Sequence, residues 1–81
     1  MIDTKTGKRI VVQIDESAGP YITVSTWDDA DELEDLLSEK YDVLFEMKNP
    51  EELREDGGKE YYFGNAADPE KLQRILDEIV L

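Results

Sequence analysis

Carboxylates are nearly the whole reactive inventory of this sequence: Asp and Glu number 21 against nine Lys and Arg, and His and Cys are absent. Without histidine the chain lacks the one side chain whose ordinary pKa lies near neutrality, and the commonest transition-metal ligand with it. Without cysteine it has no thiolate nucleophile, no disulfide framework and no zinc–thiolate site. The hydroxyls of Ser17, Ser25 and Ser38 have no evident base to activate them. Gly57-Gly58-Lys59 lacks the spacing and closing Ser or Thr of a phosphate loop and reads as a turn. Asp28, Asp29, Asp31, Glu32 and Asp35 are hard oxygen donors, yet 28–39 contains no glycine and none of the offsets of a calcium loop. Paired carboxylates do acid–base work where a cleft splits their pKa values, and a convex acidic helix offers no cleft. These residues predict a protein that is not an enzyme and has no metal site and no cofactor.

The acids are unevenly placed. Residues 1–24 are neutral, with Asp3, Asp15 and Glu16 against Lys5, Lys8 and Arg9, whereas 25–56 hold 13 acids against Lys40, Lys48 and Arg54, a net of −10 in a total of −12. Within 27–40, Ala30, Leu33, Leu36 and Leu37 recur at helical spacing, and Thr26 stands three residues before Asp29 as in a capping box. Asp28, Asp31, Glu32, Glu34, Asp35 and Glu39 fill the remaining positions and make one acidic face. That face admits two readings. It is a solvated surface that keeps a small domain soluble, with the first acids favourable at the helix N-terminus. Or it steers toward a basic protein surface, which would account for like charges kept four residues apart, such as Asp31 and Asp35. Phosphate contact needs Lys and Arg, and nine of them among 21 acids argue against direct nucleic-acid binding.

A chain of 81 residues buries only roughly 60% of its unfolded surface and fits a single domain over 1–81. Ile10, Val12 and Ile14 alternate with polar neighbours over 9–15, and Ile22 and Val24 do so after Gly19-Pro20, the period-two pattern of a hairpin with one buried face. Thr4–Gly7 forms a further tight turn between Ile2 and Arg9. Val43, Phe45 and Met47 give a third strand, and Tyr61 and Phe63 a fourth. A longer hairpin linker, 48–58, joins these two, with Asn49-Pro50-Glu51-Glu52 starting one helical turn. Asp68-Pro69-Glu70 opens a second helix with the stripe Leu72, Ile75, Leu76, Ile79 and Val80.

A shift of 39 places Gly19 on Gly58, Ile22 on Tyr61, Asp29 on Asp68, Leu33 on Leu72 and Leu37 on Leu76. The fold class is therefore α+β: duplicated ββα units, 9–40 and 42–81, giving a four-stranded antiparallel sheet with two helices on one face. Parity sends Val11, Tyr21, Thr23, Leu44 and Tyr62 to the open face of that sheet, a candidate surface for a homodimer. Trp27, just past the cap, is expected to pack over the helix start.

No run reaches the eighteen or so apolar residues of a membrane span, and Met1-Ile2-Asp3-Thr4-Lys5 is not a signal peptide, so a soluble, cytoplasmic protein without a membrane partner is expected. The segments Asp15-Glu16-Ser17-Ala18-Gly19-Pro20-Tyr21 and Phe63-Gly64-Asn65-Ala66-Ala67-Asp68-Pro69, followed by Gln73 and Ile75-Leu76-Asp77, resemble small uncharacterised bacterial proteins of similar length. The resemblance spans most of the chain. It implies a bacterial, cytoplasmic origin and brings no activity, cofactor or catalytic residue. The acidic helix lies outside it. The residues thus point to a non-enzymatic binding or adaptor protein, inhibitor- or antitoxin-like, that meets a basic partner through 27–40. The alternative is a self-associating structural domain that uses its open sheet face.

Overall fold

The computed structural model describes residues 1–80. Leu81, the last residue of the expected second unit, lies outside the described residues. Strand β1 (Gln13–Asp15) turns through 16–18 into β2 (Gly19–Thr26). The Asp15 carboxylate holds that turn by accepting from Ser17 N at 2.9 Å and Ala18 N at 2.7 Å, the local bond that makes Asp a turn former. Helix α1 (Trp27–Glu39) follows β2 directly. After β3 (Glu46–Lys48), a 3-10 helix (Glu51–Asp56) leads into β4 (Gly57–Tyr62), and α2 (Pro69–Glu78) closes the chain. The four strands form one sheet in the order β1-β2-β4-β3, with every neighbour antiparallel.

Ile22 and Val24 of β2 and Tyr61 of β4 are fully buried and lie on the same side of the sheet, Ile22 directly opposite Tyr61. Ala30, Leu33 and Leu37 of α1 and Leu76 of α2 meet them in one core with Met1, Ile10 and Ile79. Phe45 and Tyr61 pack edge to face, ring centroids 5.4 Å apart at 82°, the geometry aromatic quadrupoles favour. The Tyr61 hydroxyl donates its one proton to the Glu34 carboxylate at 2.9 Å, with Ala30 O also within reach at 3.2 Å. Burial, then that bond to Glu34, pushes its pKa far above the ordinary tyrosine value, so it remains a donor.

Several boundaries differ from the sequence pattern for identifiable reasons. The first strand shrinks from 9–15 to 13–15 because Gln73 of α2 takes the backbone upstream: Val12 N donates to Gln73 Oε1 at 2.8 Å and Gln73 Nε2 donates to Ile10 O at 3.1 Å. Ile10 is buried as expected, but Ile14 stands at the sheet edge, 62% exposed. The third strand begins only at Glu46, since 41–43 wrap the end of α1: Tyr41 N donates to Leu36 O, Val43 N donates to Leu37 O, and Asp42 takes φ 52 to reverse the chain. The single helical turn expected after Pro50 is six residues long, and Gly58 belongs to β4 rather than to a turn. Val80 falls outside α2 and is exposed. The expected turn between Ile2 and Arg9 is present, with those two residues bridged antiparallel.

The shift of 39 carries buried Leu33 and Leu37 onto buried Leu72 and Leu76, and Glu39 onto Glu78, the last residues of the two helices. It carries Gln13–Asp15 onto 52–54, inside the 3-10 helix and not onto β3, so the two outer hairpins are built differently.

Candidate functional site

Helix α1 starts at the N-cap Thr26, whose hydroxyl accepts from Asp29 N at 3.3 Å. Its buried positions Ala30, Leu33 and Leu37 point at the sheet. At 100° per residue, Asp28, Asp31, Glu32, Asp35 and Glu39 then fall within an arc of roughly 100° on the opposite side. All five are exposed. No Lys or Arg nitrogen lies within 4.0 Å of them among the described residues, because the ion pairs are elsewhere: Lys5 with Asp56, Arg9 with Asp77 at 2.7 Å, and Lys59 with Glu34 at 3.2 Å. Lys40, just past the helix, stands over the Tyr41 ring at 5.3 Å instead. Asp28/Glu32, Asp31/Asp35 and Asp35/Glu39 are like-charge pairs one turn apart, each unfavourable by a few tenths of a kcal/mol.

Glu34 does not share that surface. It is half-buried, receives Tyr61 Oη and Lys59 Nζ, and ties α1 to β4. On the wheel it lies about 40° from buried Ala30 and about 60° from Asp31, on the flank between the apolar stripe and the acidic arc, so its partners on β4 are what set it apart from the outer acids.

Two other acids do structural work that composition conceals. Asp29 is 4% exposed and accepts from Thr4 N at 3.0 Å and Thr4 Oγ1 at 2.8 Å, so the side chain expected to close a capping box fastens the N-terminal turn instead. Asp3 is equally buried and accepts from Lys5 N, Thr6 N and Ser25 N at 2.9, 3.1 and 3.0 Å. Burial by itself would raise the Asp3 pKa; the hydrogen bonds, that of Ser25 foremost, outweigh it and hold the carboxyl below its ordinary value. The run Asp3-Thr4-Lys5-Thr6-Gly7 carries the turn-former signature that marks Asp3.

On the sheet face away from the helices, Tyr21 and Tyr62 sit opposite each other and stack at 5.1 Å and 17°. Lys48 lies 4.5 Å over the Tyr62 ring. The hydroxyls are spent locally, Tyr21 on Gln13 at 2.8 Å and Tyr62 on Glu60 at 3.1 Å. Thr23 shares this face, opposite Glu60. Val11 and Leu44, expected here, precede β1 and β3 and stand outside the paired ladder. Leu44, 87% exposed, instead rims an open hollow of about 380 Å³ with Lys48, Tyr62 and Phe63. The paired part of this face is therefore aromatic and polar, with the exposed Leu44 at its rim.

Among the described residues no three Asp or Glu converge to hold a metal ion, and no helix is long and apolar enough to cross a membrane. Comparison with protein-family models, with curated proteins and with solved structures gives no match.

Proposed function

We propose that this chain is a non-enzymatic binding module, cytoplasmic and bacterial in origin, whose α1 outer face engages a basic surface of a partner protein. Inhibitor- or antitoxin-like capture of a cationic protein is the form that fits it. The observation that carries this reading is the row Asp28, Asp31, Glu32, Asp35 and Glu39, left without Lys or Arg partners while basic residues elsewhere in the chain pair with acids off that row. Unpaired like charges cost a folded helix stability, and a concentrated field of one sign speeds encounter with the opposite sign. The polar character of the face around Tyr21, Thr23, Glu60 and Tyr62 favours this reading over self-association through the sheet.

The test is capture from native lysate at low and high salt by the wild-type chain and by Asp31→Lys/Glu32→Lys/Asp35→Lys. Glu34 is left intact because Lys59 and Tyr61 need it. The reading expects one predominant basic protein held at low salt by wild type and lost by the variant. Identical capture by both chains overturns it.

A further inference from the structure

Trp27, the only tryptophan of the chain, is the first residue of α1 and has no place in the core cluster. It is 56% exposed, contrary to the packed role its position suggests. Its base is nevertheless fixed. Thr26, the residue before it, pairs with Gly57 across the β2–β4 ladder. A Cβ on Gly57 would lie 2.6 Å from Trp27 Cβ, and the Gly57 φ of +74 disfavours a side chain there in any case. The indole is thus held at its root and open at its ring.

Asp31 follows Trp27 by one helical turn and neighbours it on the helix surface, at the near edge of the acidic arc. The cation–π contacts of the described residues are Lys40 over Tyr41 and Lys48 over Tyr62, and neither involves Trp27. An aromatic ring open to solvent beside an unpaired carboxylate suits a group that is at once flat, weakly hydrated and cationic. Guanidinium meets all three conditions: it stacks on indole and presents a fork of donors to a carboxylate, whereas a compact, strongly hydrated ammonium does so less well. An apolar occupant would strip water from Asp31 and give it no partner.

We infer that Trp27 and Asp31 together seat an arginine side chain of the basic partner, its guanidinium stacked on the indole and donating to the Asp31 carboxylate. This rests on the assignment of α1 as the contact face. The site makes the partner arginine-bearing rather than merely basic.

Because Trp27 is the sole tryptophan, its own emission reports the contact. Oligoarginine and oligolysine peptides of equal length are titrated into the full chain at low salt, with calorimetry alongside. The arginine peptide is expected to shift and quench the emission and to bind roughly two- to fivefold more tightly than the lysine peptide. Trp27→Leu is expected to erase that preference while keeping salt-dependent binding, and Trp27→Phe to restore part of it. Arginine-peptide binding that leaves the emission unchanged, or a preference that survives in Trp27→Leu, overturns the arginine seat alone. Peptide binding by Asp31→Asn/Glu32→Gln/Asp35→Asn equal to wild type overturns the α1 assignment itself. Emission that shifts with protein concentration in the absence of peptide marks a second copy as the occupant and overturns the seat. Trp27 is outside the core, so circular dichroism of each variant should match wild type.

Discussion

The two helices do the same work inward and opposite work outward. Leu33 and Leu37 of α1 and Leu72 and Leu76 of α2 are buried alike. On the outside, α2 mixes Glu70, Asp77 and Glu78 with Lys71 and Arg74, and its Asp77 receives the Arg9 guanidinium through two bonds at 2.9 and 2.7 Å. Helix α1 has seven acids and no base over its length, and Asp28, Asp31, Glu32, Asp35 and Glu39 face water unpaired. A helix needs its apolar stripe to fold, but nothing in folding requires the outer charges to be of one sign. The proposed role of α1 rests on this difference between the outer faces.

The largest effects test the sameness of the inner faces. Leu37→Ala and Leu76→Ala should each cost about 2–5 kcal/mol in urea unfolding, since both side chains are almost wholly enclosed. If one of them is nearly neutral, the helices are not equal partners in the core. A second contrast lies within α1. Asp29→Ala leaves Thr4 N and Oγ1 without their acceptor and should cost roughly 1.5–3 kcal/mol, the range for bonds to a charged group. Asp35→Ala, on the outer face, should be neutral or slightly stabilising. Equal losses from the two changes would erase the distinction between acids the fold uses and acids it leaves spare.

Acid probes the same division. The Asp3 carboxyl is held below its ordinary value of 3.8, and the Arg9 and Gln73 hydrogen bonds bring Asp77 down to about 2. The folded state therefore takes up these protons less readily than the unfolded chain. Their stabilisation is complete above the unfolded value of 3.8 and drains away as pH falls through the folded one, which for Asp77 is about 2. Thermal melts across that window should fall for wild type and fall less for Asp3→Asn. The smallest effect concerns the outer face alone: Asp31→Asn/Glu32→Gln/Asp35→Asn should raise stability by a few tenths of a kcal/mol at low salt, and added salt should narrow the gap by screening.

Much of this comparison is legible in the residues themselves. The alternation around Ile22 and Val24, the caps Thr26 and Asp68 and the two leucine stripes are local patterns, and each marks an element that forms. The outer acids other than Glu34 follow from the helix period. What local pattern cannot show is a partner distant in sequence. Gln73 closes the backbone of Ile10 and Val12 from 63 and 61 residues away, which is why the first strand reads too long. Glu34 turns inward because Tyr61 and Lys59 wait there, and Asp29 is buried because Thr4 folds over it. Trp27 reads as a packed residue until the sheet shows that Gly57 lies against its base and leaves the ring free.

The most direct test of the α1 assignment sets two neutralised chains against wild type in calorimetric titration with the basic protein recovered by capture. One carries Asp31→Asn/Glu32→Gln/Asp35→Asn on α1. The other carries Glu16→Gln/Glu70→Gln/Glu78→Gln away from it, so the change in net charge is the same in both. Loss of binding by the α1 chain with near-wild-type affinity in the other is the predicted result. Equal weakening in both chains would mean that only net charge matters, and would contradict a dedicated face on α1.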